Sequence, residues 1–374
     1  MVSYQKLKSR GSSTNPANRF TSRQSVVDKE YDIKIRSGQQ SRHYFPATQN
    51  DGESTKVVQT QYIAQQCRSI ISTNDSPDIP FRLSINPYQG CEHGCVYCYA
   101  RPTHEYLDLS LGLDFETKIH YKPNALQKLE EYLSRPGYQC EPITLGANTD
   151  PYQQAERQFG ITRSLLQLAL DCRQPVVIIT KGSLVLRDID LLKALARQHL
   201  VKVMITLTTL KPELKSTLEP RAAAPATRLK IIETLAQMDV PVGVLVAPVI
   251  PAINDMEIEA IIEQCAKLGA GSMSHILLRL PHQLKDLFQD WLTEYYPERR
   301  HKVLHLLEQC HGGQLYKSEF GTRQTGTGIY ARMISQRFSL SCQKHGISHK
   351  RETLLRRDLF IPPQQRQQID LFEA

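Results

Sequence analysis

The sequence contains no uninterrupted run of about 18 apolar residues, which is the length that a helix needs to cross a membrane. Its first twenty residues also lack the apolar stretch of a secretory signal. With 374 residues, 40% of them apolar, the chain can bury one large hydrophobic core or two smaller ones. We therefore expect a cytoplasmic protein without a membrane-spanning segment.

A second pair of closely spaced cysteines is also missing. Cys91, Cys95 and Cys98 fall within eight residues, whereas the other six of the nine cysteines are scattered singly. This excludes the cysteine framework of a small secreted domain. It also disfavours a structural zinc site, which normally has four ligands, and His93 could be the fourth only by bending back within its own loop. The spacing favours an iron–sulfur site in a reducing compartment.

The net charge of +8 is concentrated at the two ends of the chain. Residues 1–50 contain nine Lys or Arg and three Asp or Glu, and residues 321–374 contain nine and four. Basic ends around a nearly neutral body are compatible with contact to a polyanion such as DNA or RNA. They are equally compatible with solvated ends that bind nothing.

The composition divides the chain into five segments. We predict a disordered basic segment over 1–55, a lead-in over 56–80, an α/β core over 81–281, a helical extension over 282–345 and a flexible tail over 346–374.

Within the core, six short apolar runs alternate with five amphipathic segments. The runs begin at 81, 141, 175, 201, 240 and 274, and the helical patterns cover 123–134, 161–173, 188–199, 225–238 and 255–268. Such alternation predicts right-handed βαβ units and a parallel sheet. The pattern fits a doubly wound sheet and an incomplete barrel equally well.

The three closely spaced cysteines follow the first apolar run, in NPYQGCEHGCVYCY (86–99). Thiolates with three and two residues between them can wrap one corner of a [4Fe–4S] cubane and leave its fourth iron without a protein ligand. Gly90 and Gly94 allow the tight turns that this requires. An iron left open in this way can bind a substrate, whereas a cluster with four thiolates serves as an electron carrier.

This motif, C-x3-C-x2-C with an aromatic residue before the last cysteine, resembles the signature of the radical S-adenosylmethionine (SAM) superfamily over about 81–281. The resemblance implies a partial (β/α)6 TIM-type barrel. It implies that SAM binds the open iron through its amino and carboxylate groups. An electron from a reductant such as flavodoxin or ferredoxin would then cleave SAM, and the resulting 5′-deoxyadenosyl radical would take hydrogen from a substrate.

The segment NPYQGCEHGCVYCYARPTHEYL (86–107), followed by LDFETKI (113–119), is similar to an uncharacterised bacterial branch of the radical SAM group related to spore photoproduct lyase. Five further segments resemble that group as a whole. They are GANTDPYQ (146–153), ITKGSLVLRD (179–188), LEPRAAAP (218–225), APVIPAIND (247–255) and LLRLP (277–281). The lyase quenches its product radical with a cysteine, and we find no cysteine at a suitable strand end. The resemblance therefore implies repair-like or modification-like chemistry on nucleic acid without supporting the lyase reaction itself.

Ligands of such barrels bind at the carboxyl ends of the strands. Asn148, Thr149 and Asp150 follow the second predicted strand and could accept hydrogen bonds from the SAM ammonium, although the same residues are ordinary turn formers. By resemblance, Lys181 would contact the SAM carboxylate, and Tyr97 would pack near the adenine.

Four more residues are candidates for ligand contacts. Thr206 and Thr208, at the end of the fourth predicted strand, could bind the ribose hydroxyls or simply favour a strand. Arg221 and Arg279 could bind the SAM carboxylate or a substrate phosphate. The sequence assigns no catalytic residue.

The chain ends in a pentapeptide that follows a polar stretch of Pro and Gln: Gln368, Ile369, Asp370, Leu371 and Phe372. It resembles the motif with which bacterial proteins bind the sliding clamp. Leu371 and Phe372 would fill an apolar pocket while the Gln368 amide bonds to its rim. Alternatively, the two apolar side chains pack on their own domain.

Three functions remain open on this basis. The first is a radical SAM enzyme acting on DNA or RNA, and the second is a radical SAM enzyme that modifies a protein or a small molecule. The third is a cluster-bearing binding or electron-transfer module that does not turn over SAM.

Overall fold

The computed structural model describes residues 9–20, 58–348 and 355–365. Within these residues there are ten β-strands. They are β1 (Gln61–Ala64), β2 (Ile71–Thr73), β3 (Leu83–Ile85), β4 (Tyr88–Gln89), β5 (Lys118–Tyr121), β6 (Ile143–Leu145), β7 (Val176–Thr180), β8 (Val201–Thr206), β9 (Val242–Val249) and β10 (Ser272–Leu277).

The described residues also form eleven α-helices. They are α1 (Asp114–Thr117), α2 (Ala125–Leu133), α3 (Ala155–Phe159), α4 (Ile161–Asp171), α5 (Ile189–Arg197), α6 (Pro212–Leu218), α7 (Pro225–Gln237), α8 (Ile258–Lys267), α9 (Leu284–Tyr295), α10 (Arg300–Cys310) and α11 (Gly328–Lys344). Short 3-10 turns lie at Arg101–Leu107, Ser183–Asp188, Asp255–Glu257 and Pro363–Gln365.

The central sheet has seven strands in the order β10-β9-β8-β7-β6-β3-β2. Six of them, β3 and β6 to β10, are parallel and follow one another in chain order, and β2 joins antiparallel at one edge. Each crossover carries at least one helix. The architecture is a partial (β/α)6 barrel of the TIM type, and the predicted fold class is confirmed.

The alternation of side chains along the strands explains why this sheet encloses a lumen. In β8, Val203 and Ile205 are fully buried against the surrounding helices. Lys202, Met204 and Thr206 alternate with them and line the lumen. The six predicted strands and five predicted helices all occur. Most are a few residues shorter than the patterns suggested, and β10 begins two residues earlier than predicted.

A three-stranded sheet in the order β1-β5-β4 stands beside the barrel and was not predicted. β4 has two residues and β1 has four, so neither shows a readable period. Residues 9–20, which we name the strap, pack near this sheet and bury Ser12 and Asn18. The prediction of disorder over the whole of 1–55 is therefore wrong for residues 9–20.

The carboxyl-terminal part follows the helical extension that the sequence predicts, with α9, α10 and α11. Residues 355–365 then return to the barrel, where the Arg356 and Ile361 amides donate to the carbonyls of His199 and Cys172. Phe360 packs edge-on against Tyr138. The prediction of a flexible tail from 346 onward is therefore wrong for 355–365, while the pentapeptide at 368–372 lies outside the described residues.

The two outer strands of the central sheet do not pair with each other, and an ion pair bridges the gap. Arg323, in the Gly-rich segment after α10, donates to Asp78 at 2.6 Å, and the Gly321 amide donates to the same carboxylate. The Leu277 amide at the end of β10 donates to the Gln324 carbonyl. The Gly-rich segment thus closes the open side of the barrel.

Among the described helices, none is both long and apolar enough to span a membrane.

Candidate functional site

The cysteine loop runs from β4 to the 3-10 turn at Arg101. Gly90 and Gly94 both adopt positive φ, at 80° and 67°. A Cβ at Gly90 would lie 2.9 Å from the Phe115 carbonyl oxygen, and one at Gly94 would lie 2.7 Å from a Glu116 carboxylate oxygen. Both positions therefore require glycine, because of the turn and because of the neighbouring chain.

The three cysteines of this loop lie together at one end of the lumen, where Cys91 and Cys95 are buried and Cys98 is half-buried. Burial raises the pKa of Cys91 well above its ordinary value and that of Cys95 to about 12. Such thiols become thiolates only where a cation compensates their charge, as the irons of a cluster do. The donor set therefore fits a bound iron–sulfur group.

Three neighbouring thiols can be the protein ligands of one cubane. No group of three His, Cys, Asp or Glu side chains among the described residues could hold one metal ion. In a cubane each cysteine binds its own iron, so the three sulfurs do not need to meet around one point. The His93 Nδ1 atom lies 3.3 Å from the Asp150 carboxylate, so this side chain holds the cysteine loop in place and does not act as a metal ligand.

Contacts of Glu92 and Arg221 also hold the cysteine loop. Glu92 accepts hydrogen bonds from the Tyr62 hydroxyl and from the Ala155 amide at the start of α3. Its own amide donates to the Gln153 side chain at 3.0 Å. Arg221 lies 3.5 Å from the Glu92 carboxylate and donates its amide to the His93 carbonyl.

Asp150 lies five residues after the end of β6, and its side chain is largely buried and hydrogen-bonded to the protein. Its carboxylate accepts from the Thr180 hydroxyl at 2.6 Å and from the amides of Tyr152 and Lys181 at 2.9 and 2.7 Å. Burial alone would raise the pKa of Asp150, but His93 and these hydrogen bonds lower it to about 2. Asp150 also borders the lumen, but its carboxylate already has four donors. Its role as a SAM ammonium ligand stays a prediction.

Next to the three thiols, the lumen holds a cavity of about 760 Å³, within the range of pockets that bind cofactors. Asn148, Lys181 and Thr206 all line it, as predicted for a ligand site. Lys181 Nζ has no hydrogen-bond partner among the described residues, and it stands 5.9 Å from the Tyr97 ring. Burial would lower the pKa of Lys181, but the nearby Cys95 and Glu219 raise it, so it stays cationic.

The other predicted ligand residues have different roles. Thr149 lines the cavity, but its hydroxyl donates to the Tyr88 carbonyl. Thr208 lies behind the cavity wall and donates to Glu219 at 2.7 Å. Arg221 also lies outside the cavity, on the outer side of the cysteine loop. Thr208 and Arg221 are therefore not ligand residues in this structure, because neither reaches the lumen.

Tyr97 forms the wall between the cavity and a buried polar network. Its ring lines the cavity, while its hydroxyl bonds to Glu219 and Thr208. Glu219 also pairs with Arg228, whose guanidinium donates to the Thr206 carbonyl at 3.0 Å. Burial alone would raise the pKa of Glu219, but Arg228 and Lys181 lower it to about 2. The network was not predicted, since its members are distant in sequence and only the segment LEPRAAAP drew attention to Glu219.

At the mouth of the cavity, arginines lie over aromatic rings. The Arg279 guanidinium carbon lies 5.2 Å from the Tyr99 ring centroid, and that of Arg323 lies 4.6 Å from the Phe320 centroid. Tyr99 and Phe320 are 44% and 58% exposed, which leaves ring surface open to a ligand. Arg279 was predicted as a ligand residue, and the structure places it at the cavity.

Comparisons with known proteins agree with this geometry. The model of the radical SAM superfamily matches residues 85–265. Uncharacterised proteins of Mycobacterium tuberculosis and Mycobacterium bovis are 35% identical to the chain over 235 residues, which cover 62% of it and 69% of each relative. An uncharacterised protein of Methanocaldococcus jannaschii is 27% identical over 173 residues, covering 46% of the chain and 62% of that protein.

Solved structures of spore photoproduct lyase share the fold. A form with bound AdoMet and dinucleoside spore photoproduct superposes with a TM-score of 0.55 at 15% identity, over 76% of this chain and 79% of the other. A mutant of the lyase in which phenylalanine replaces a tyrosine gives 0.56 at 14% identity, over 84% and 90%. The fold and the three-cysteine loop define a barrel protein of the kind that binds an iron–sulfur cluster and SAM together. The chain belongs to the radical SAM superfamily.

Its cofactors are accordingly a [4Fe–4S] cluster and SAM. The residues present fit both, since the three thiols lie beside a cavity that also contains the Lys181 ammonium group, which makes no hydrogen bond to the described residues. When bound, the cluster supplies the electron that cleaves SAM to a radical. In this chain Cys91, Cys95 and Cys98 would hold the cluster. Lys181 would fix the SAM carboxylate, and the aromatic face of Tyr97 would close one side of the pocket.

Proposed function

We propose that this protein is a radical SAM enzyme that acts on nucleic acid and admits one nucleotide at a time into the barrel lumen. The observation that carries this proposal is the Arg279 guanidinium over the exposed Tyr99 ring at the mouth, where the exposed Phe320 ring also lines the cavity. Aromatic faces stack on bases irrespective of sequence, and guanidinium groups bind phosphates. Enzymes that modify a base inside a duplex must take it out of the stack, and a deep cavity with such a rim suits that need.

The far end of the lumen adds hydrogen-bond donors. Lys202 lies two residues before Met204 on the same face of β8, and its Nζ has no partner among the described residues. The Ser272 hydroxyl is buried there and also lacks a partner in that part of the chain. Donors at this position would bond the acceptor atoms of an inserted base.

The ends of the chain support the same substrate class. Both are basic, which favours a polyanion. The terminal pentapeptide Gln368–Phe372 would dock the enzyme on a sliding clamp and so hold it near DNA. Flavodoxin or ferredoxin is the expected reductant, and the cytoplasm is the expected compartment.

The test is a measurement of 5′-deoxyadenosine formation by reduced, cluster-loaded protein. We expect single-stranded DNA or RNA to stimulate it, and Arg279→Met to reduce the stimulation. Arg197→Met, which changes an exposed residue at the end of α5, should leave the stimulation unchanged. Stimulation by a peptide or a small molecule and not by nucleic acid would favour the second hypothesis. A total absence of SAM cleavage would favour the electron-transfer module.

A further inference from the structure

The strap (residues 9–20) lies directly against the back of the cysteine loop. A Cβ built on Gly11 would lie 1.8 Å from the carbonyl oxygen of Gly94, the residue directly before Cys95. No side chain can occupy that space, so the two backbones are in direct contact. The strap therefore covers the loop on the side opposite the lumen.

A chain of polar contacts connects the strap to one of the cysteines. The amides of Gly11 and Ser12 donate to the two carboxylate oxygens of Glu116 at 3.0 and 2.9 Å. The same carboxylate pairs with Arg101 at 2.5 Å, and Arg101 Nε donates to the Cys95 carbonyl at 2.8 Å. Arg101 and Glu116 are both fully buried. Displacing the strap would leave the Glu116 carboxylate with two fewer donors next to the loop.

Separate contacts hold the rest of the strap in place. The Asn15 side-chain amide donates to the Asp114 carboxylate through Nδ2 and accepts from the Asp114 backbone amide through Oδ1. The Asn18 side chain donates to the carbonyls of Glu105 and Leu109, and Arg19 pairs with Glu105 at 3.0 Å. These anchors lie away from the cysteine loop, so they fix the strap independently of its contact with Gly94.

We propose that the strap is the outer wall of the cluster site. Gly11 and Glu116 are its positioning residues: they set the path of the cysteine loop and keep water and oxygen from its back. Because the strap is separated from the barrel by residues 21–57, it can be altered without changing any residue of the lumen. The inference rests on the cluster and is independent of the identity of the substrate.

The test compares Gly11→Ala with Gly271→Ala in the full chain, each reconstituted without oxygen. Gly271 is a matched control, since a Cβ there meets nothing closer than the Val242 carbonyl at 3.9 Å. We expect the cluster absorbance of Gly11→Ala to bleach several-fold faster in air than that of the wild type, with the thermal unfolding midpoint changed little. Gly271→Ala should bleach at the wild-type rate. Equal bleaching of wild type and Gly11→Ala would overturn the proposal.

If Gly11→Ala does not fold, Asn18→Ala decides the question by the same measurement, because it loosens the strap at a distance from the loop. Unchanged bleaching in that variant would overturn the proposal.

A second test measures the reduction potential of the cluster in Glu116→Gln, a quantity that a purely structural contact would not change. Loss of a negative charge beside Arg101 should shift the reduction potential of the cluster upward. An unchanged potential would refute the connection through Arg101. Neither result depends on SAM cleavage or on nucleic acid.

Discussion

The Nδ1 atom of His93 lies 3.3 Å from the Oδ2 atom of Asp150. His93 stands between two of the cluster cysteines, and Asp150 follows β6, so this contact ties the cysteine loop to the carboxyl end of a barrel strand. The backbone of Asp150 also hydrogen-bonds to Cys91. Asp150 thus shapes the site by holding three segments together.

Asp150→Asn is expected to destabilise the protein more than it disturbs SAM binding directly. The amide that replaces one oxygen would face N–H and O–H donors, and a lost charged hydrogen bond of this kind costs about 1.5–3 kcal/mol. Urea unfolding of the cluster-free protein measures the effect. Wild-type stability together with lost SAM affinity would show instead that Asp150 is a ligand.

Lys181→Met should show the opposite behaviour. Because Nζ makes no hydrogen bond to the described residues, its removal should leave the stability almost unchanged. SAM would lose a charge-assisted partner worth about 1.5–3 kcal/mol, or roughly ten- to hundredfold in affinity. Equilibrium binding of SAM to the anaerobic protein measures this, with the partly exposed Lys193→Met as control. Equal affinities in the two variants would show that the carboxylate binds elsewhere.

The cluster itself provides the third prediction. Anaerobically reconstituted protein should contain about four irons per chain and give a [4Fe–4S]+ resonance on reduction that SAM shifts. Alanine at Cys91, Cys95 or Cys98 should abolish the resonance, whereas Cys140→Ala, before β6, should keep it. Stoichiometric zinc without sulfide in the wild type would contradict the assignment.

The barrel was predictable because its signals are local. Each strand and helix of the core shows its period within ten residues or so, and three cysteines within one loop suffice to predict the cluster. Contacts between distant segments carry no such signal. In the sequence, nothing distinguishes Glu116 from the other charged residues of LDFETKI, yet its carboxylate accepts from the strap and pairs with Arg101. Thr208 follows a strand as a ribose ligand should, but the strand ends at Thr206 and the chain then turns behind the wall.

A fourth prediction concerns pH. Burial and the nearby His120 lower the pKa of His104 from 6.5 to about 4. Between these two values the unfolded chain binds a proton that the folded chain does not, so stability should fall as the pH is lowered from about 6.5 towards 4. The full shift corresponds to about 3 kcal/mol. Urea unfolding at pH 7, 6 and 5 should show the decrease, and His104→Gln should remove most of it. An equal slope in the variant would assign the effect to other groups.

The last prediction is that the terminal pentapeptide binds the replication clamp of its host. Gln368–Phe372 follows a stretch rich in Pro and Gln, and the last two described residues, Gln364 and Gln365, are exposed. Burial of Leu371 and Phe372 in an apolar pocket could contribute about 1.5–3 kcal/mol each before the cost of ordering the peptide. After that cost we expect micromolar affinity for a synthetic peptide covering 362–374. Calorimetric titration of the clamp should detect it, and the peptide with Leu371→Ala and Phe372→Ala should not bind.

A ring around DNA would raise the local concentration of DNA near the lumen without any sequence recognition by the enzyme. If the wild-type peptide also fails to bind at high micromolar clamp, the case for DNA reduces to the basic ends and the arginine–aromatic pairs at the mouth. RNA would then be the first substrate to examine.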